Sequence, residues 1–153
     1  MQHVTDISGQ DWFLDLNLGI ADKVDAFLRD AYHVDLFDAV QVMGLLARPI
    51  NVVSIASCLC SEDREKRGLS PMDFGRLWKG EAAYKLQRAL WEEYRDFFPD
   101  PRIAGLISST MTQLEHLSES EEMLVKKAME KLTEAVSEAV TEMQSTIAGE
   151  SVS

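Results

Sequence analysis

Reactive side chains are few and scattered along this 153-residue chain. His3, His33 and His116 are its three histidines, and none stands in an HExxH-like or Cys/His array able to hold a transition metal. No metal site is expected. Cys58 and Cys60 lie two positions apart in the apolar run SIASCLC. On a helix they point to different faces, and half-cystines so close seldom bridge. With an apolar setting and no nearby Lys, Arg or His expected to stabilise a thiolate, they read as core cysteines of a reduced, intracellular protein rather than as a reactive pair. FGRLWKG (74–80) has neither the spacing of a phosphate-binding loop nor a strand before it; Gly75 reads as close helix packing and Gly80 as a helix break. Glu92-Glu93 and Glu121-Glu122 are adjacent pairs whose side chains diverge on a helix, so they cannot act together as acid and base. They read as solvated faces.

Two rows of residues offer binding rather than bond-making chemistry. Tyr84, Trp91 and Phe98 could line a ligand groove, and a cofactor pocket behind Tyr84 and Trp91 is the one enzymatic alternative, but core packing is the preferred reading and no cofactor is expected. In the second row, Val125, Met129, Leu132, Val136, Ala139 and Met143 step by 4, 3, 4, 3 and 4 residues, the spacing of a narrow coiled-coil seam. These six are the candidate partner-binding residues. Alanine and methionine stand where leucine would pack best, and flexible thioethers, Met123 among them, suit a surface that accepts varied apolar partners.

The elements that position these residues are mostly helices. Ser70-Pro71 with Asp73 is a helix start: a capping hydroxyl, a proline that needs no N–H, and a carboxylate against the helix dipole. From Glu81 to Phe98 the residues Ala83, Leu86, Leu90, Tyr94 and Phe97 form one apolar line. Phe98-Pro99-Asp100-Pro101 stops that helix, and Pro101 can start another. Asn17 caps a helix over 18–31 with Ile20, Val24, Phe27 and Leu28 as its apolar face, and a further helix covers 36–47. Ile50–Cys60 (INVVSIASCLC) fits a strand or a buried helix by periodicity; Pro49 favours the helix. Ser61–Gly68 (SEDREKRG) reads as a charged surface loop. Val4–Leu16, with Ser8-Gly9 as a turn between partly alternating stretches, predicts a β-hairpin.

All twelve aromatic residues lie between Trp12 and Phe98, so the compact core is expected to end near Leu106. The fold class is therefore mainly all-α, a compact multi-helix bundle with a short N-terminal hairpin and a long C-terminal amphipathic helix. Its expected divisions are a core at 1–106, a connector at 107–117 that is helical or ragged, the amphipathic helix at 118–148, and a disordered tail at 149–153. The net charge of −11 is uneven: residues 1–60 hold eight acids and three bases, 61–105 nine of each, and 106–153 nine acids and three bases. Acidic ends work against nucleic-acid phosphates and anionic lipid. With neither a leader pattern nor a run of about 18 apolar residues, a cytosolic protein is expected, with protein partners.

One stretch resembles a known family. Residues 19–107, above all VDLFDAV (34–40), NVVSIASCLCSEDREKRGLSPMDFGRLWKGEA (51–82) and RDFFPDPR (95–102), resemble the small helical tail assembly chaperones encoded in tail-gene clusters of tailed phages and prophages. Trp78-Lys79, where small residues are expected, and the acidic 118–153 extension depart from the pattern. The resemblance implies a non-enzymatic chaperone in the host cytoplasm. Such a protein keeps the long, helical tape measure protein soluble while tube subunits assemble around it. The core, residues 1–106, would be a rigid body, and the exposed seam of 118–147, together with an apolar groove on the core, would engage amphipathic client helices. Burying about 400 Å² of apolar stripe is worth roughly 10 kcal/mol before association costs. The alternative is a structural or adaptor protein that homo-oligomerises through its C-terminal helix.

Overall fold

In the computed structural model the backbone is described for residues 1–152, and the side chains for all of these except 117–122, 124, 125 and 145–152. The first 14 residues form the hairpin: β1 (Gln2–Thr5) pairs antiparallel with β2 (Asp11–Leu14), Val4 opposite Trp12. Alternation buries Val4, Trp12 and Leu14 and leaves the cross-strand pair His3 and Phe13, rings 5.2 Å apart, on the other face. Asp6 builds the turn. Its Oδ1 accepts from Ser8 N–H (2.8 Å), Ser8 Oγ (2.6 Å) and Gln10 N–H (3.2 Å), and its Oδ2 from the buried Trp12 Nε1 (2.8 Å). Gly9, at φ 86°, supplies the left-handed step that the turn needs.

Burial raises the Asp6 pKa, but the bonds from Ser8, Trp12 and Gln10 outweigh it and hold the carboxyl below its ordinary value. Asp25 is also lowered, by the Leu36 N–H and by Arg29. A carboxyl whose pKa is lower folded than unfolded contributes stability that is present above the unfolded value, about 4, and is lost as pH falls through the folded value. The urea midpoint is therefore expected to fall between about pH 6 and about pH 3, and an unchanged midpoint would contradict these assignments.

The helices follow their caps. In α1 (Leu18–Tyr32) Asn17 Oδ1 accepts from Ile20 N–H at 3.2 Å, and His33 closes the helix in the left-handed region at φ 56°. Its deepest residues are Ala21, Val24 and Leu28, while Ile20 and Phe27 are half-buried. Asp38 caps α2 (Ala39–Leu46), which starts three residues later than periodicity suggests. Pro49 at the first position settles the ambiguous apolar run as a helix, α3 (Pro49–Leu59). The segment expected as a charged loop is instead a helix, α4 (Ser61–Lys66), followed by a turn through Arg67 and Gly68. Glu62 and Asp63 stand in its first turn and Arg64 and Lys66 in its last, the order that suits the helix dipole. Lys66–Glu62 and Arg67–Asp63 add pairs at i,i+4 spacing.

Ser70 and Asp73 form a reciprocal capping box, both bonds at 3.1 Å, at the start of α5 (Pro71–Gly75). A Cβ on Gly75 would sit 3.8 Å from Val53 Cγ1, ordinary contact, so the close approach expected there is not required. Gly80, at φ 58°, breaks the chain into α6 (Gly80–Phe97). A single helix, α7 (Pro101–Val152), then runs through the expected connector and reaches beyond residue 148. The side chains of the expected 149–153 tail lie outside the described residues.

The chain divides into two units, Met1–Thr112 and Gln113–Ser153. The first unit extends past Leu106, since Ile107 and Met111 are buried within it while Leu106 is exposed. At its centre α6 packs against α3 and α2 and against the hairpin. Three side chains satisfy carbonyls at the end of α2, where intrahelical partners run out: Trp91 Nε1 donates to Leu46 O at 2.8 Å, Gln87 Nε2 to the same oxygen at 3.0 Å, and Asn51 Nδ2 to Leu45 O at 3.1 Å. No single helix among the described residues is long and apolar enough to cross a membrane; α2 and α3, apolar in sum, meet at a bend of 111°.

Glu93 departs from the solvated face expected of it. It is buried, its Oε1 accepts the Leu16 N–H at 3.0 Å, and the Met1 ammonium lies 3.2 Å from Oε2. The cause is tertiary: the hairpin and the residues after it cover this side of α6. Glu93→Leu is expected to lower stability by about 1–3 kcal/mol, because the Leu16 N–H loses its acceptor. Glu93→Gln keeps that acceptor and should cost less, a difference readable by urea titration.

Candidate functional site

Unit Gln113–Ser153 presents the seam residues to solvent. Met129, Leu132, Val136 and Met143 are 59, 60, 55 and 65 % exposed, and Ala139 is exposed as well. The side chain of Val125 lies outside the described residues. At about 100° per residue the six positions fall within a stripe roughly 80° wide along α7. Val140, 48 % exposed, widens it on the Met129 side, and strict alternation of four and three steps misses that residue. Its signal was the 3.6-residue period: Val140 lies one helical turn after Val136. Met123 is exposed but sits six residues before Met129, about 120° around the helix, and so leaves the seam. Thr133 and Thr141 back-bond to the carbonyls four residues earlier, at 2.9 Å each, so these hydroxyls need no partner from outside the helix.

The flanks are chemically quiet. In a heptad with Met129, Val136 and Met143 at one core position, the two flanking positions hold Lys126, Thr133 and Val140 on one side and Ala128, Ala135 and Glu142 on the other. Coiled coils choose partners mainly through charges at those positions. Four of these six are uncharged, and the alanines allow close backbone approach, so the flanks impose little selection.

The residues weighed for chemistry in the first unit do structural work. Trp91 bonds to α2, and Tyr94 donates its hydroxyl to Leu36 O at 2.7 Å. Its phenol is pushed above the ordinary value by burial and then by Asp38 and Asp35. Phe98 stacks edge-on against Tyr94 with centroids 5.0 Å apart. Tyr84, expected at the edge of the apolar face, is 51 % exposed. The space bordered by Leu28, Leu46, Leu90 and Tyr94 is about 20 Å³, near the size of one water.

Cys58 and Cys60 are free thiols. Burial pushes Cys60 up to about 12, with Asp63 adding to the rise. Burial also raises Cys58 against Lys23 and Arg64, two cations that sequence spacing alone did not bring near it. Both thiols are protonated at neutral pH and so are poor nucleophiles. Cys58 lines a groove of about 400 Å³ with Phe27, Val53 and Pro71, in which Lys23 Nζ donates to Ser61 Oγ and Arg64 to Leu69 O. A second trough, of about 500 Å³, separates β1 from α6, and its charges pair with each other as Lys85–Glu81 and Arg88–Glu92. Among the described residues no three His, Cys, Asp or Glu side chains group as a metal would need.

Comparison with protein-family models, with curated proteins and with solved structures gives no match.

Proposed function

We propose that this chain is a non-enzymatic holder of helical protein segments, a tail assembly chaperone in kind, whose client is the long helical tape measure protein of a phage or prophage tail. The observation that carries the reading is the stripe formed by Met129, Leu132, Val136 and Met143, each more than half exposed on one side of a long helix. Water leaves such a stripe when another amphipathic helix lies along it, with knobs every three and four residues. The flanks supply little selection, which suits a client that presents many similar helices. Acidic residues on the far side of α7, Glu134 and Glu138 among them, keep the loaded complex soluble. On this reading the chain works in the cytoplasm of the host cell, where tails assemble.

The test is co-expression of the tagged full chain with the long helical protein of a tail gene cluster, followed by pull-down and sedimentation of the lysate. The expected result is recovery of that protein in the tagged fraction and its transfer from pellet to supernatant. Failure to recover it, with both proteins expressed, would contradict the reading.

A further inference from the structure

We infer that, in the absence of a client, the 125–143 seam is covered by the same segment of a second copy running antiparallel. This rests on the reading of that stripe as a coiled-coil seam. The spacing 4, 3, 4, 3, 4 is the same in both directions, so a reversed copy meets the first with its core positions in register about residue 134: Val125 beside Met143, Met129 beside Ala139, Leu132 beside Val136. Each of these layers pairs the two different core positions of the heptad, as reversal of one copy brings about.

Net charge along the helix, rather than the flanking positions, favours one direction. Residues 123–131 hold Lys126, Lys127 and Lys131 against Glu130, a net of +2, whereas residues 132–144 hold Glu134, Glu138 and Glu142 and no base, a net of −3. Antiparallel pairing sets the basic half of each copy beside the acidic half of the other. Parallel pairing sets like against like along the whole seam, about 27 Å long. Ala128, Ala135 and Ala139 line one border of the stripe and let the two backbones approach closely. The client then enters by displacing a copy, and the exposed stripe is never left open to indiscriminate association.

The test uses the full chain, unmodified for sedimentation. Sedimentation over a range of concentrations is expected to show a reversible dimer whose dissociation constant rises about threefold to tenfold as ionic strength is raised from about 0.05 to about 0.5 M, because the attraction between unlike halves is screened. In an equal mixture of Met129→Cys and Ala139→Cys copies, mild oxidation should join position 129 of one copy to position 139 of the other. A monomer at every concentration would overturn the inference. So would tightening with salt, or disulfides confined to 129–129 and 139–139 pairs, which belong to parallel pairing. A monomeric chain that still recovers its client sinks only this inference; a dimer that recovers none sinks only the proposed function.

Discussion

Leu132→Asp together with Val136→Asp is expected to abolish client recovery while moving the main melting transition by no more than about 3 °C. Leu132 and Val136 are 60 and 55 % exposed, and exposed substitutions away from special features usually change stability by within about 0.5 kcal/mol, a few degrees at most for a domain of this size. Placing two carboxylates in the middle of a buried seam instead leaves them desolvated and unpaired, at a cost of several kcal/mol. That is enough to reduce binding at least a hundredfold. Glu134→Gln, on the far side of the helix, serves as control and should recover client normally. A large loss of melting temperature in the double variant would mean that the stripe stabilises the chain itself.

The second large effect belongs to the hairpin. Asp6→Ala removes the acceptor of four hydrogen bonds at once and leaves the Trp12 indole N–H buried without a partner. Trp12 is fully buried, edge-on to Phe74 at 5.0 Å, and has the Arg67 guanidinium 3.9 Å from its ring. The expected loss is about 3 kcal/mol, or more than about 10 °C in melting temperature. Asp6→Asn keeps an oxygen for the turn N–H groups but turns an amide donor toward Trp12, so its loss should be smaller. Equal melting of Asp6→Ala and the unsubstituted protein would show that the turn is held by something else.

These two sites differ in how far local pattern reveals them. Caps and breaks are local chemistry: Asn17, Ser70-Pro71-Asp73, Pro49, Ser8-Gly9 and Pro101 mark ends that the structure keeps, because each satisfies or removes a backbone N–H or supplies a turn within a few residues. Seam spacing is local too, which is why Met129, Leu132, Val136, Ala139 and Met143 were legible as one exposed stripe of a helix, and why Val140, half a step off the strict repeat, was not. What the pattern missed depends on residues far apart in sequence. Glu93 looks solvated on its own helix, yet it is buried because Leu16 lies 77 positions away in sequence and bonds to it. Asp6 gave no sign of holding Trp12, because the bond exists only once the hairpin closes. The SEDREKR segment, polar throughout, resembles a loop by composition, and only the order of its charges, acids first and bases last, marks α4. The absence of aromatic residues after Phe98 suggested an end to packing near Leu106, but Ile107 and Met111 continue it on the same helix without needing rings.

The central claim is that the exposed stripe of α7 is where another helix lies, and hydrogen exchange tests it most directly. With the co-expressed client bound, amide exchange is predicted to slow by at least about tenfold across residues 125–143 relative to the chain alone, with smaller changes in Met1–Thr112. Unchanged exchange at 125–143, with protection appearing only in Met1–Thr112 upon client binding, would contradict the account.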